Sequence, residues 1–249
     1  MTSEKEYFRQ TRLFSGQEKI FKTPIIIVGL GGIGSPAAFL LAKKGFYRFT
    51  LVDPDTVEAH NPPYTLYRRS QLGLPKVLAL KKILQSFERG RRSQPRLRIT
   101  TIAAPFSKDI FIPKRSVVIV GVDRMEFDGQ RNTEGRRELW QNYFRANPRV
   151  VLMLEGRMAA RAAYLYTIRP TFQEDVTFYE DQRVLYSDSQ ASRDTCAEQA
   201  IIDTTCGLAC LISQQIEKFL RGQPIFSELI LDLENMKIGQ KGPILKAVE

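Results

Sequence analysis

The stretch Thr23–Asp55, TPIIIVGLGGIGSPAAFLLAKKGFYRFTLVDPD, decides the fold. Ile25, Ile26, Ile27 and Val28 form an unbroken apolar run. Such a run suits a strand buried on both faces of a parallel sheet. Gly29, Gly31 and Gly34 follow at once in G-x-G-x-x-G spacing, with Gly32 between them. Ser35 to Lys43 then carries Ala38, Leu41 and Ala42 on one side and meets a stop at Gly45, which predicts a helix. Phe49, Leu51 and Val52 predict a second strand ending on Asp53. Strand, glycine turn, helix and strand in that order make a dinucleotide-type fingerprint credible. Its glycines let backbone approach phosphate, and the helix start offers unpaired N–H groups and positive potential. Asp53 lies 19 residues after Gly34, where an acid can hold ribose hydroxyls. The competing structural reading is a glycine turn that only lets helix and strand pack.

The 249 residues are enough to bury a substantial core, and a charged fraction of 26% is that of an ordinary globular chain. No apolar stretch is long enough to span a bilayer, and MTSEKEYFRQ has no signal-peptide core, so a cytoplasmic location and no membrane partner are expected. Cys196, Cys206 and Cys210 form no C-x-x-C pair, which argues against a disulfide framework and against structural zinc. The net charge of +10 invites a nucleic-acid reading. Much of the excess is local, in Arg89, Arg91, Arg92, Arg96 and Arg98 around a turn without aromatic interleaving. A solvated loop is the preferred reading there, with an acidic protein or nucleotide partner next and nucleic acid last.

Along the chain, Glu4 to Gln10 predicts a short helix, followed by Arg12, Leu13 and Phe14 and by Ile20 and Phe21 at apolar spacing. After Asp53, Asp55 lies at the carboxyl edge of the sheet, where open α/β folds bind ligands. Asn61 and the loop PPYTLYRRSQLGLPK follow, and Lys76 opens a helix with Val77, Leu80, Ile83 and Leu84 on its buried face. Lysine opposes the dipole at a helix start, a small cost that makes sense if its ammonium reaches a phosphate. Leu97, Ile99 and Thr101 alternate as a strand, and Val117 to Val120 is a second buried run ending Gly121-Val122-Asp123. Asp123 is placed to bind Mg²⁺, the alternative being an N-cap for the segment beyond it. Gln130 to Asn147 predicts an Arg-rich helix carrying Trp140. Val150 to Leu154 predicts a fifth strand, with Glu155-Gly156-Arg157 at its ligand end. Ala162 to Ile168 predicts a strand, Thr171 to Arg193 a long polar loop, Ile201 to Leu220 a helix, and Phe226 to Leu233 a last strand. Cys206 and Cys210, at i and i+4 of that helix, are expected in the core. His60 is read as a loop residue, with a phosphate contact as the alternative.

These residues together resemble the ubiquitin-activating-enzyme-like adenylyltransferases of the ThiF/MoeB type, from about Tyr7 to about Ile238. The resemblance rests on Arg9-Gln10, Leu13-Phe14, Gly16-Gln17, the glycine loop to Pro36, Asp53-x-Asp55-x-Val57, Asn61, Gly73-x-Pro75-Lys76, Asp123, Thr195-Cys196 and Gln215. It implies a single domain over 1–249: a Rossmann-like α/β fold whose largely parallel sheet is flanked by helices and extended by antiparallel strands in the C-terminal half. Residues 1–155 would form the nucleotide-binding half and 156–249 the half with the carrier site and crossover loop. The activity implied is adenylation, with ATP and Mg²⁺, of the C-terminal glycine of a small β-grasp carrier. The glycine loop would cradle ATP, Asp53 would bind ribose, Asn61 and Lys76 would contact phosphates, and Asp123 would hold Mg²⁺. Arg9 would act from the other subunit of a homodimer. Cys196 matches a position that some members use to take the acyl group, which would bring in a conjugating enzyme as a further partner.

Three departures are visible. Tyr64 stands where the family often has arginine, and Arg68 or Arg69 is the candidate replacement. Arg124 follows Asp123 where asparagine is common, and the paired C-x-x-C motifs that bind zinc in many members are absent. A divergent, zinc-free member is therefore expected. The alternatives are an NAD(P)-dependent oxidoreductase, which leaves Asp55, Asn61, Lys76 and Asp123 without a role, and a non-catalytic dimeric scaffold with the same fold.

Overall fold

The structure is a computed structural model and describes residues 17–87, 96–126, 135–185 and 201–245. Among these residues, eight strands form one sheet in the order β3-β2-β1-β4-β5-β6-β7-β8. The first five, β1 (Ile25–Val28), β2 (Arg48–Val52), β3 (Arg98–Ile102), β4 (Ser116–Val120) and β5 (Val150–Ala159), pair in parallel. The antiparallel extension is β6 (Ala162–Ile168), β7 (Ile225–Asp232) and β8 (Lys237–Leu245).

Alternation along the central strands divides the core by face. Ile25, Ile27, Leu51, Val117 and Ile119 face three helices, α1 (Gln17–Lys22) lying beside them. Those three are α2 (Gly34–Lys44), α3 (Lys76–Ser86) and α6 (Ile202–Leu220), which bury Ala37 and Leu41, Leu80 and Leu84, and Leu208, Ile212 and Ile216. Ile26, Val28, Val52, Val118 and Val120 face the other way, toward Phe106, Trp140, Phe144 and Tyr179. Two-sided burial is why β1 and β4 read as continuous apolar runs.

Four expectations are corrected. The Thr171–Arg193 stretch contains a helix, α5 (Gln173–Tyr179). It buries Val176 and Tyr179 at i and i+3, and Asp175, fully buried, is held by the backbone N–H and guanidinium of Arg169 at 2.8 Å. The Arg-rich helix is shorter than expected: α4 covers Arg136–Leu139 and continues as a π turn over Trp140–Phe144, while 127–134 lie outside the described residues. The last strand is not β7, because β8 follows it along a free edge.

Finally, Cys206 and Cys210 are exposed rather than in the core. The buried stripe of α6 is set one position earlier, at Thr204, Thr205, Leu208, Ala209 and Ile212. The two threonine hydroxyls are satisfied by donating to the carbonyls of Ala160 and Ile202. Both thiols of the folded protein should therefore react with a water-soluble disulfide reagent without denaturant, and replacing either by serine should change stability by no more than about 0.5 kcal/mol. Thiols at 206 and 210 that stay unreactive until the protein unfolds would refute that placement.

Candidate functional site

The site lies at the carboxyl edge of the parallel strands, where β1, β2 and β4 end side by side. Gly29 takes a positive φ of 86°, and a side chain there would lie 2.7 Å from the carbonyl carbon of Gly121. A side chain on Gly34 would fall 2.0 Å from the Gly29 oxygen. These two glycines are therefore required by the packing of the turn itself. Gly31 differs, because a Cβ built on it meets nothing within 4 Å. That backbone borders open space at the start of α2, a helix with no side-chain cap on its N-terminus. The arrangement leaves helix-start N–H groups available to an anion. Gly32 faces inward instead, packed among Met158, Thr205 and the ring of Tyr64.

Asp53 directly follows β2 and is 4% exposed. One of its oxygens accepts the Leu30 N–H at 2.6 Å and the other the Asp55 N–H at 2.8 Å, which ties the acid to the glycine loop. Burial pushes its carboxyl above the usual range, and Lys76 and the two N–H groups pull against that rise. The Lys76 ammonium lies 2.8 Å from Asp55 and 4.0 Å from Asp53, with the side chain 11% exposed. Burial opposes its charge, but Asp53, Asp55 and Tyr64 outweigh burial and hold its pKa above the ordinary lysine value.

Asn61 is buried and its side chain has a fixed sense. Its Oδ1 accepts the Glu58 N–H at 2.8 Å and its Nδ2 donates to the Tyr64 hydroxyl at 3.2 Å. Arg68 and Arg69 are both exposed, in and beside the short turn Arg69–Gln71. Asp123 is exposed three residues beyond the end of β4, past the Gly121–Val122 backbone that packs against Gly29. The described helix beyond it starts at Arg136 with Gly135 at its cap, so the N-cap alternative for Asp123 finds no support among the described residues. Arg9 and Cys196 lie outside the described residues.

Glu155 lies level with Val120 at the carboxyl edge, but its side chain and that of Arg157 are buried and do not open onto the site. The fifth strand runs on to Ala159, and Glu155 is fully buried inside it. The Arg157 guanidinium donates to both of its oxygens at 2.7 Å, and the Tyr179 hydroxyl donates to one of them at 2.9 Å. Arg136 approaches by its Nε at 2.9 Å, as an ion pair rather than an aligned hydrogen bond. Burial raises the Glu155 pKa, but the two guanidiniums and the phenol overcome that and hold it below the usual carboxylate range. Beside the cluster, the backbone N–H groups of Arg136 and Arg137 donate to the carbonyls of Arg124 and Met125, just after Asp123.

Tyr67 is a contributor that the sequence reading missed. Its buried hydroxyl donates to the Leu30 carbonyl at 2.8 Å and so braces the glycine loop from behind. Burial, with Asp53 and Asp55 nearby, pushes that phenol far up. Its only sequence signal was an aromatic three residues after Tyr64 in a polar loop.

The family model described as ThiF family matches residues 7–241. The chain belongs to that family. Among its relatives, a molybdopterin-synthase adenylyltransferase of Haemophilus influenzae is 34% identical over 135 residues, covering 51% of this chain and 53% of that protein. The same-named protein of Salmonella typhimurium is 25% identical over 222 residues, covering 88% of this chain and 82% of that protein. Among solved structures, Escherichia coli MccB with MccA-N7isoASN superposes with a TM-score of 0.68 at 16% identity, covering all of this chain and 73% of that one. MccB with ATP gives 0.65 at 18% identity, covering 93% and 67%. ThiF-family membership and these superpositions agree with the Rossmann-like sheet and its antiparallel extension. No described helix is long and apolar enough to cross a membrane.

Proposed function

We propose that this chain is an ATP-dependent adenylyltransferase acting on the C-terminal glycine carboxylate of a small ubiquitin-like or sulfur-carrier protein. One observation carries the reading: an open glycine loop, Lys76 and Asp123 all lie along the carboxyl edge of the parallel strands of a ThiF-family chain. The relatives named as adenylyltransferases and the MccB structure solved with ATP support it. The residues present fit a nucleotide. Gly29, Gly31, Gly32 and Gly34 with the start of α2 would receive phosphates. Asp53 keeps lone pairs beyond its two backbone bonds for ribose hydroxyls. Asn61, Lys76 and Arg68 or Arg69 would address phosphate oxygens, with Asp55 holding Lys76 in place.

In the reaction a carboxylate oxygen bonds the α-phosphorus while the bond to the bridging oxygen breaks and pyrophosphate leaves. Two anions must be brought together and charge cancelled on several oxygens, so positioning and fixed cations do the work and no protein nucleophile is needed. Mg²⁺ on Asp123 would supply further charge cancellation. On the same reading residues 1–155 serve the nucleotide and 156–249 the carrier within a single domain. Arg9 acts across a homodimer, and Cys196 is the thiol to which an acyl group would pass.

Melting with nucleotide tests this. A ligand at about 100 times its Kd adds about 2.7 kcal/mol, or about 5–10 °C for a chain of this size. ATP with Mg²⁺ should give a shift of that order and NAD almost none. A shift with NAD equal to or above that with ATP would replace adenylation by the oxidoreductase reading.

A further inference from the structure

Tyr64 stands in the short 3-10 turn Pro62–Tyr64, and its surroundings leave its hydroxyl with one unused function. The ring is held on two sides. It packs against Gly32 of the glycine loop, and His60 stacks on it with ring centroids 6.3 Å apart and planes 19° from parallel. The hydroxyl is held as well. Because Asn61 Oδ1 accepts the Glu58 N–H, the amide can only present its Nδ2 to Tyr64, and the phenolic oxygen accepts at 3.2 Å. The phenolic proton is then left to be donated, and among the described residues no acceptor takes it. The phenol also acts electrostatically on Lys76, whose ammonium has further N–H donors beyond the bond to Asp55. The Tyr64 hydroxyl thus has an unused donor at the edge of the glycine loop, and the Lys76 ammonium, already paired with Asp55, has a further N–H to offer. An anion with several oxygens fits those two donors.

We propose that the Tyr64 hydroxyl donates a hydrogen bond to a polyphosphate oxygen of the bound nucleotide, on the Lys76 side of the glycine loop. This rests on the nucleotide reading above and adds a contact to it. A neutral donor here keeps directionality without adding a positive charge next to Lys76, and Asn61 fixes the direction in advance. Such preorganisation matters because a donor that need not reorient loses less on binding.

The test is Tyr64→Phe, which keeps the ring against Gly32 and His60 and removes only the hydroxyl. Hydrogen bonds to charged groups contribute about 1.5–3 kcal/mol, so ATP·Mg²⁺ binding by calorimetry should weaken by roughly ten- to hundredfold. Inorganic tripolyphosphate should lose affinity by the same factor, and adenosine should bind both proteins equally. ATP affinity within twofold of wild type overturns the proposal and leaves the nucleotide reading standing. Equal weakening for adenosine also overturns it, since the ring or the loop would then be at fault. If the unsubstituted protein itself fails to bind ATP, both readings fall together.

Discussion

Asp123→Ala is expected to lower carrier-dependent exchange of pyrophosphate into ATP by at least about 100-fold while the protein stays folded. The magnitude follows from removing one group that stabilises charge in a transition state, which costs about 10²–10³ in rate. Folding should survive because the side chain is exposed past the end of β4, so the stability change should stay within about 0.5 kcal/mol. Equally, the backbone of the turn is fixed by other residues: Gly121 packs on Gly29, and Arg136 and Arg137 hold the carbonyls of Arg124 and Met125. The alanine variant should therefore melt as the wild type does and differ only in exchange. Exchange above a tenth of the wild-type rate would remove Asp123 from the site and leave Asp53 and Asp55 as the acids able to hold a cation. Melting more than a few degrees lower would show instead that the carboxylate supports the turn.

How legible each part was follows from how local its cause is. The glycine loop could be read residue by residue, because the constraints on Gly29 and Gly34 come from atoms of the same turn and of the strand end beside it. The parallel strands could be read because burial on both faces demands apolar residues at every position. Glu155 and Arg157 could not. Their polarity suggested the end of a strand, yet the strand continues and buries them against each other, a pairing that depends on Arg136 and Tyr179 from two distant helices. Helix α5 was hidden for a similar reason, since its buried Asp175 is paired with Arg169, just past the end of the strand before it. Strand β8 has two glycines, a proline and almost uniformly exposed residues, so no alternation marks it. The roles of Asn61 and Tyr64 depend on a hydrogen-bond direction set by the Glu58 backbone, which no residue pattern records.

The buried cluster predicts the largest stability effect. Glu155→Gln keeps the size and shape of the side chain but removes the carboxylate that the Arg136 and Arg157 guanidiniums both meet in the core. Breaking a buried pair in this way costs about 3–5 kcal/mol, because the remaining charge keeps its desolvation cost and loses the attraction that offset it. For a chain of this size that is a fall in melting temperature of roughly 6–20 °C. The pH dependence gives a second and independent signature. The Glu155 carboxyl titrates below its ordinary value of 4.5 in the folded protein, so its contribution is complete above that value and is lost as pH falls through the lower folded pKa. Below about pH 4.5 the wild type should therefore lose stability more steeply than Glu155→Gln, and the two curves should converge in acid. Replacing the whole cluster, Glu155→Leu with Arg136→Met and Arg157→Met, should recover most of the loss, since apolar side chains of similar volume often match or exceed a buried ion cluster. Urea unfolding of the three proteins between pH 3 and 7 decides the matter. A Glu155→Gln protein within 1 kcal/mol of wild type at neutral pH, or parallel to it down to pH 3, would mean that water or another acid already balances the two arginines. Because Arg136 and Arg137 anchor the turn after Asp123 through their backbone N–H groups, which methionine keeps, the triple variant should retain pyrophosphate exchange as well as the fold, separating the stability of the cluster from the chemistry of the site.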